Sequence, residues 1–122
     1  MDELSERIEV LRSCGFVDDS GMRDLNRIAE VLVSECGVSR NDEVLGTLIA
    51  HVAAALKRAR DGEKINPLAA DVISDVVDSE VYPEALRIQH ELLGSMENDL
   101  SADERDFVLV HIGGLLMSRA SR

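Results

Sequence analysis

Residues 39–62 read SRNDEVLGTLIAHVAAALKRARDG, and this stretch decides the fold. Val44, Leu45, Leu48, Ile49, Val52 and Leu56 recur at spacings of three and four, so they form one apolar arc on a helix. Ser39, followed three residues later by Asp42, fits a weak Ser/Thr-x-x-Asp/Glu capping pattern and predicts that the helix starts at Ser39. Lys57, Arg58 and Arg60 then occupy the last turn, where cations complement the helix dipole, and Gly62 ends the run.

The same signals repeat on either side. Leu25, Ile28, Ala29, Leu32 and Cys36 share a face of a helix expected from about Gly21 to Cys36, with Gly37 in the position that closes it. Leu4, Ile8 and Leu11 make a shorter stripe that stops near Gly15. Downstream, Asn66-Pro67 reads as a cap followed by proline at the first helical position, with Leu68, Val72, Ile73 and Val76 behind it. Tyr82-Pro83 opens another helix, whose stripe is Ala85, Ile88, Leu92 and Met96. Ser101 and Glu104 form a better capping box. The run it opens is apolar nearly all round: Phe107 to Val110, Ile112 and Leu115 to Met117. Such a helix belongs at the centre of a bundle or at a subunit interface. Gly113-Gly114 costs helix stability and suggests close packing beside His111. The fold class is all-α, and the short loops favour antiparallel neighbours.

Composition sets the outer bounds. The chain has 122 residues, enough for one domain with a core of its own. Residues 1–20 read as an N-terminal helical extension and 21–122 as a single helical domain. Hydrophobic residues are 45% and aromatics only 2%, so the core is aliphatic. Thirteen Lys and Arg against 24 Asp and Glu leave a net charge of −11. That balance argues against a direct nucleic-acid surface, which needs clustered cations, and against an anionic membrane surface. No apolar run reaches the length of a membrane helix, so no membrane insertion is expected. Cys14 and Cys36 form no CxxC pattern and read as small apolar residues in a reduced, cytoplasmic setting.

The chemistry-bearing residues are few. His51, His90 and His111 lie too far apart for a local metal motif, and no metal or other cofactor is expected. No Gly-rich phosphate loop or nucleophile elbow occurs, so the chain does not read as an enzyme. An open zinc site built from the three histidines would need His90 to converge on the other two, and the helical periodicity gives no reason for that. His51 falls at the rim of the buried face of its helix, with Arg58 two turns on and facing nearly the same way. A half-exposed histidine below an arginine suits an oxyanion or a phosphoryl group. His111 is the strongly polar side chain within an apolar helix, two turns beyond Glu104, and must find a hydrogen-bond partner or an interface. The capping box accounts for Glu104, with pairing to His111 or Arg58 as the alternative. His90 flanks its apolar stripe and reads as surface.

Five short segments, in order, resemble the PTS regulation domain, the phosphorylatable helical module of sugar-responsive antiterminators and activators. They are Leu48-Ile49-Ala50-His51 with Ala55-Leu56-Lys57-Arg58, then Ile65-Asn66-Pro67-Leu68, Tyr82-Pro83-Glu84-Ala85, Asp103-Glu104 with Phe107, and Val110-His111-Ile112. The resemblance runs from about Met22 to Leu116. It implies a compact five-helix bundle that forms a homodimer, here with a short extra helix in front. It implies His51 and His111 as candidate phosphoryl acceptors, for whose new charge Arg58 and Lys57 are the nearest cations on the same helix. It also implies donors: the phosphocarrier protein of the sugar phosphotransferase system, or its sugar-specific component. Ala50 stands where antiterminators often carry Asp. No RNA-binding segment precedes the module and no second copy follows, so its output is expected to pass through an unidentified regulatory protein. The competing reading is a helical adaptor that keeps the fold without the phosphorylation.

Overall fold

The computed structural model describes residues 2–63 and 70–120, with side chains as far as Ser118. Six helices and no strand occur among the described residues, in the order α1 (Glu3–Ser13), α2 (Asp19–Cys36), α3 (Glu43–Asp61), α4 (Ala70–Val77), α5 (Tyr82–Gly94) and α6 (Ala102–Ala120). The expected cap at Asn66-Pro67, and the segment around it in the family resemblance, lie outside the described residues.

Acidic caps set two boundaries earlier or later than expected. The α2 helix starts two residues before Gly21, because the Asp18 carboxylate accepts the Gly21 N–H at 2.8 Å. The α3 helix starts after Asp42 rather than at Ser39. Asp42 accepts from the N–H groups of Val44 and Leu45, while Ser39 closes a separate turn by accepting from Asn41. A carboxylate at the cap also meets the positive end of the helix dipole. Gly37 and Gly62 close α2 and α3 in the left-handed region, at φ of 67° and 74°, where a side chain would be strained.

The apolar α6 helix packs against α2, α3, α4 and α5, so most of its non-polar surface is used inside the chain, while Met117 stays exposed. Val108, Ile112, Leu115 and Leu116 are buried against a core that includes Leu25, Ile28, Leu32, Leu48, Ile49, Val52, Ile88 and Leu92. Gly113 marks the closest approach: a Cβ there would lie 3.0 Å from Cγ1 of Val76 on α4, whereas one on Gly114 would meet nothing within 4 Å. The α1 helix joins the same core through Leu4 and Ile8, and Val17 behind it is buried as well. An ion pair between Arg40 and Asp2 fastens this end, with a hydrogen bond donated by Arg60 to the Gly15 carbonyl.

Asp24 is buried on α2 and holds the α5–α6 connection. It accepts the N–H groups of Glu97 and Asn98 at 2.7 and 3.1 Å and the Asn98 side-chain amide at 2.7 Å. This clamp fixes the segment from which α6 departs, and therefore the side chains that α6 presents to α3.

Candidate functional site

The site lies where α3 and α6 meet. His51 is on the α3 arc's edge, two turns before Arg58, and α6 supplies Glu104, Phe107 and His111 at near-helical spacing. The His51 ring lies against both aromatic neighbours on α6. Its centroid is 4.6 Å from that of Phe107 and 4.9 Å from that of His111, with interplanar angles of 26° in both cases. These distances are typical of offset stacking.

Glu104 is the buried anion of the group, its side chain only 6% exposed. Arg58 grips it with two hydrogen bonds, Nε donating to Oε1 at 2.8 Å and Nη2 donating to Oε2 at 3.2 Å. The Arg58 side chain is 25% exposed, so one side of the pair still reaches water. Two parallel charge-assisted bonds are the strong form of this contact. The capping box is therefore half made. Ser101 Oγ accepts the Glu104 N–H at 3.3 Å, but the Glu104 carboxylate goes to Arg58 instead of returning to the cap. Capping alone does not account for this residue.

The two histidines differ in their polar surroundings. Nδ1 of His111 is 2.8 Å from the Phe107 carbonyl oxygen. A carbonyl can only accept, so Nδ1 carries the proton and the neutral ring keeps its lone pair on Nε2. His51 has its Nε2 3.6 Å from Glu104 Oε2, beyond hydrogen-bond length. That nitrogen is sealed from solvent and has no hydrogen-bond partner. Burial pushes the His51 pKa below its ordinary value, and His111 adds to the push; the Glu104 carboxylate opposes it. His51 is thus held neutral.

His51, His111, Arg58 and Glu104 stand together, while His90 is exposed on α5 and apart from them. Among the described residues, no group of three or more His, Cys, Asp or Glu side chains is placed to hold a metal ion. None of the described helices is long and apolar enough to cross a membrane. Cys36 is buried and Cys14 exposed. Phe107 contributes more than the sequence indicated. In the sequence it is part of the apolar run and of a family segment, with no role of its own, whereas its ring is a platform for His51 and its carbonyl sets the His111 tautomer. The i, i+4 spacing of Phe107 and His111 was the available signal, but it does not show which helix lies opposite.

The described residues are all-α in class, and the α3–α6 seam brings together two stacked histidines and a buried Arg–Glu pair. Residues 26–115 match the PRD domain, and the chain belongs to that family. It is also similar to YhfY of Escherichia coli (strain K12), an uncharacterized protein, with 24% identity over 115 residues. That alignment spans 94% of this chain and 96% of the relative. No solved structure matches the chain.

Proposed function

We propose that the protein is a regulatory module of the sugar phosphotransferase system, in which His51 and His111 are the candidate phosphoryl acceptors. The observation that carries this reading is the seam itself: two imidazoles in contact, next to an arginine held by a buried glutamate. A phosphoryl group adds up to about two negative charges, and a nearby guanidinium is the natural group to receive them. In this reading Arg58 shifts from Glu104 toward the new anion, and α3 and α6 repack around the exchanged pair. The population then moves between two arrangements whose partner-binding surfaces differ.

The module works in the cytoplasm as a homodimer of compact five-helix, antiparallel bundles, each with α1 packed onto it as an additional helix. It is not an enzyme, and it binds neither nucleic acid nor membrane directly. The phosphocarrier or the sugar-specific component supplies the phosphoryl group. An unidentified regulatory protein receives the signal and controls carbohydrate-related gene expression. The net charge of −11 supports output through a protein.

The test is intact-mass spectrometry at alkaline pH after incubation with phosphoenolpyruvate, the general phosphotransferase enzyme and the phosphocarrier, repeated with a sugar-specific component. Acid-labile phosphoryl on the chain is the expected result. An unmodified chain beside a fully phosphorylated control substrate refutes the reading.

A second reading, the non-phosphorylated adaptor, is favoured by two observations. Nε2 of His51 is closed to solvent, and Ala50 brings no carboxylate beside it. That reading expects partner binding to be equally strong before and after phosphotransferase treatment.

A further inference from the structure

The two histidines are not equivalent nucleophiles. A histidine takes a phosphoryl group through a ring nitrogen that has an in-plane lone pair and an open approach. His111 meets the first condition at one defined atom, because its Nδ1 proton is committed to the Phe107 carbonyl at 2.8 Å. The lone pair is left on Nε2, and the ring is only half-buried. Among the described residues, Nε2 of His51 is the one buried side-chain nitrogen or oxygen without a hydrogen-bond partner, so Nε2 of His111 is not shut in the same way.

His51 fails the second condition at Nε2, which is sealed from solvent. Its polar neighbour there is the Glu104 carboxylate at 3.6 Å, an anion that would repel an arriving phosphoryl group. The stack also limits occupancy. With ring centroids 4.9 Å apart, two phosphoryl groups of nearly two charges each would be forced together at one seam. Passage of the group from one ring to the other is blocked as well. Stacked rings present their π-faces to each other, and the lone pairs point along the ring planes instead of across the gap.

We propose that Nε2 of His111 is the phosphoryl acceptor of this seam, and that the ring of His51, closed at Nε2, packs beneath it as a positioning residue. This rests on the phosphoryl-switch reading above and makes it specific. In the step, the His111 Nε2 lone pair forms a bond to phosphorus as the donor phosphohistidine's N–P bond breaks. The donor nitrogen keeps that electron pair and takes a proton from solvent. The proton on Nδ1 of His111 stays there, donated to the Phe107 carbonyl, leaving an imidazolium next to the phosphoryl dianion until that proton is released to water.

The full chain is treated in parallel with the phosphocarrier system and with potassium phosphoramidate, a small donor that needs no docking surface. Sites are mapped by tandem mass spectrometry, and the ring nitrogen is identified by antibodies specific for the two phosphohistidine isomers. Both donors are expected to place one acid-labile phosphoryl group on Nε2 of His111. Phosphoramidate is expected to mark exposed His90 in addition, as an internal control. His111→Gln loses the seam phosphoryl entirely. His51→Phe keeps a stacked ring without nitrogens and retains it, which separates positioning from acceptance. Phosphoryl on His51, or on Nδ1 of His111, overturns the assignment and leaves the switch reading standing. Chemical marking of His111 Nε2 with no transfer from the phosphotransferase proteins supports the assignment of the reactive nitrogen and refutes the switch. Marking of His90 alone by phosphoramidate, with none from the phosphocarrier, overturns both.

Discussion

Replacing Glu104 with Gln tests whether the seam is held by a desolvated ion pair. The substitution keeps the shape and one acceptor oxygen, but removes the charge. In the native chain two guanidinium N–H groups bond the carboxylate at 2.8 and 3.2 Å, and Glu104 is almost fully buried. Glutamine can keep one of these bonds. It presents an NH₂ group to the other, so about one charge-assisted bond is lost, worth roughly 1.5–3 kcal/mol. Breaking a buried pair from one side costs about 3–5 kcal/mol when the stranded charge is fully enclosed. Arg58 is 25% exposed and recovers part of that from water. The expected destabilisation of Glu104→Gln is therefore about 2–3 kcal/mol. Urea unfolding of wild type, Glu104→Gln, Arg58→Met and the double variant gives the coupling directly. A coupling energy of about 1.5 kcal/mol or more is expected, because each single variant strands the other partner while the double does not. A coupling below about 0.5 kcal/mol, the size of an exposed pair, would refute the reasoning. The same variant lowers the His51 pKa further, since the carboxylate that opposes the burial effect is gone; NMR titration of the His51 ring reads this shift.

Three further outcomes follow from other parts of the structure. His51 has its pKa lowered on folding, so the unfolded chain binds the proton more readily. Its contribution to stability is complete above the unfolded value of about 6.5 and is lost as pH falls through it, with a slope of at most about 1.4 kcal/mol per pH unit. His51→Phe should flatten the stability–pH curve as pH falls below about 6.5, and an unchanged slope by urea unfolding would count against a buried neutral imidazole. Gly114→Ala should raise stability by up to about 1 kcal/mol through helix propensity alone, because a Cβ there meets nothing. The same change at Gly113 should gain less or destabilise, since its Cβ presses on Val76, and Val76→Ala should restore the gain; equal thermal shifts for the two glycines would contradict the packing. Asp24→Ala removes three hydrogen bonds at a buried position and should cost about 3 kcal/mol by urea unfolding, with early hydrogen exchange at Glu97 and Asn98.

The helices were legible because their signals are local. The apolar arc from Val44 to Leu56, the glycines at 37 and 62 and the Tyr82-Pro83 start all act within a turn or two of themselves. The α3 start was misread because two caps compete there, and the carboxylate of Asp42 outweighs the hydroxyl of Ser39. His51, Arg58, Glu104 and His111 could each be picked out from their own helices. Their meeting could not, because the partner of each lies about 45 to 60 residues away and nothing in the periodicity of α3 names α6 as its neighbour. The order of the family segments supplied that link where periodicity could not. Phe107 shows the remaining gap. A ring on an apolar face is indistinguishable in sequence from ordinary core until the imidazole lying against it is seen.

The fastening of α1 separates the span of the family match from the unit that folds. The family match begins at residue 26, inside α2, yet the core begins at Leu4. A shortened chain cut to the matched span would lose Leu4, Ile8 and Val17 from the packed interior, together with Asp18 and the first turn of α2 that it caps. The Asp24 clamp on the α5–α6 connection would go with them. Such a fragment would carry every histidine of the seam and still be a poor vehicle for studying it. The span matched by the family is smaller than the unit that is mechanically sound, and expression boundaries are better drawn from the buried side chains than from that span.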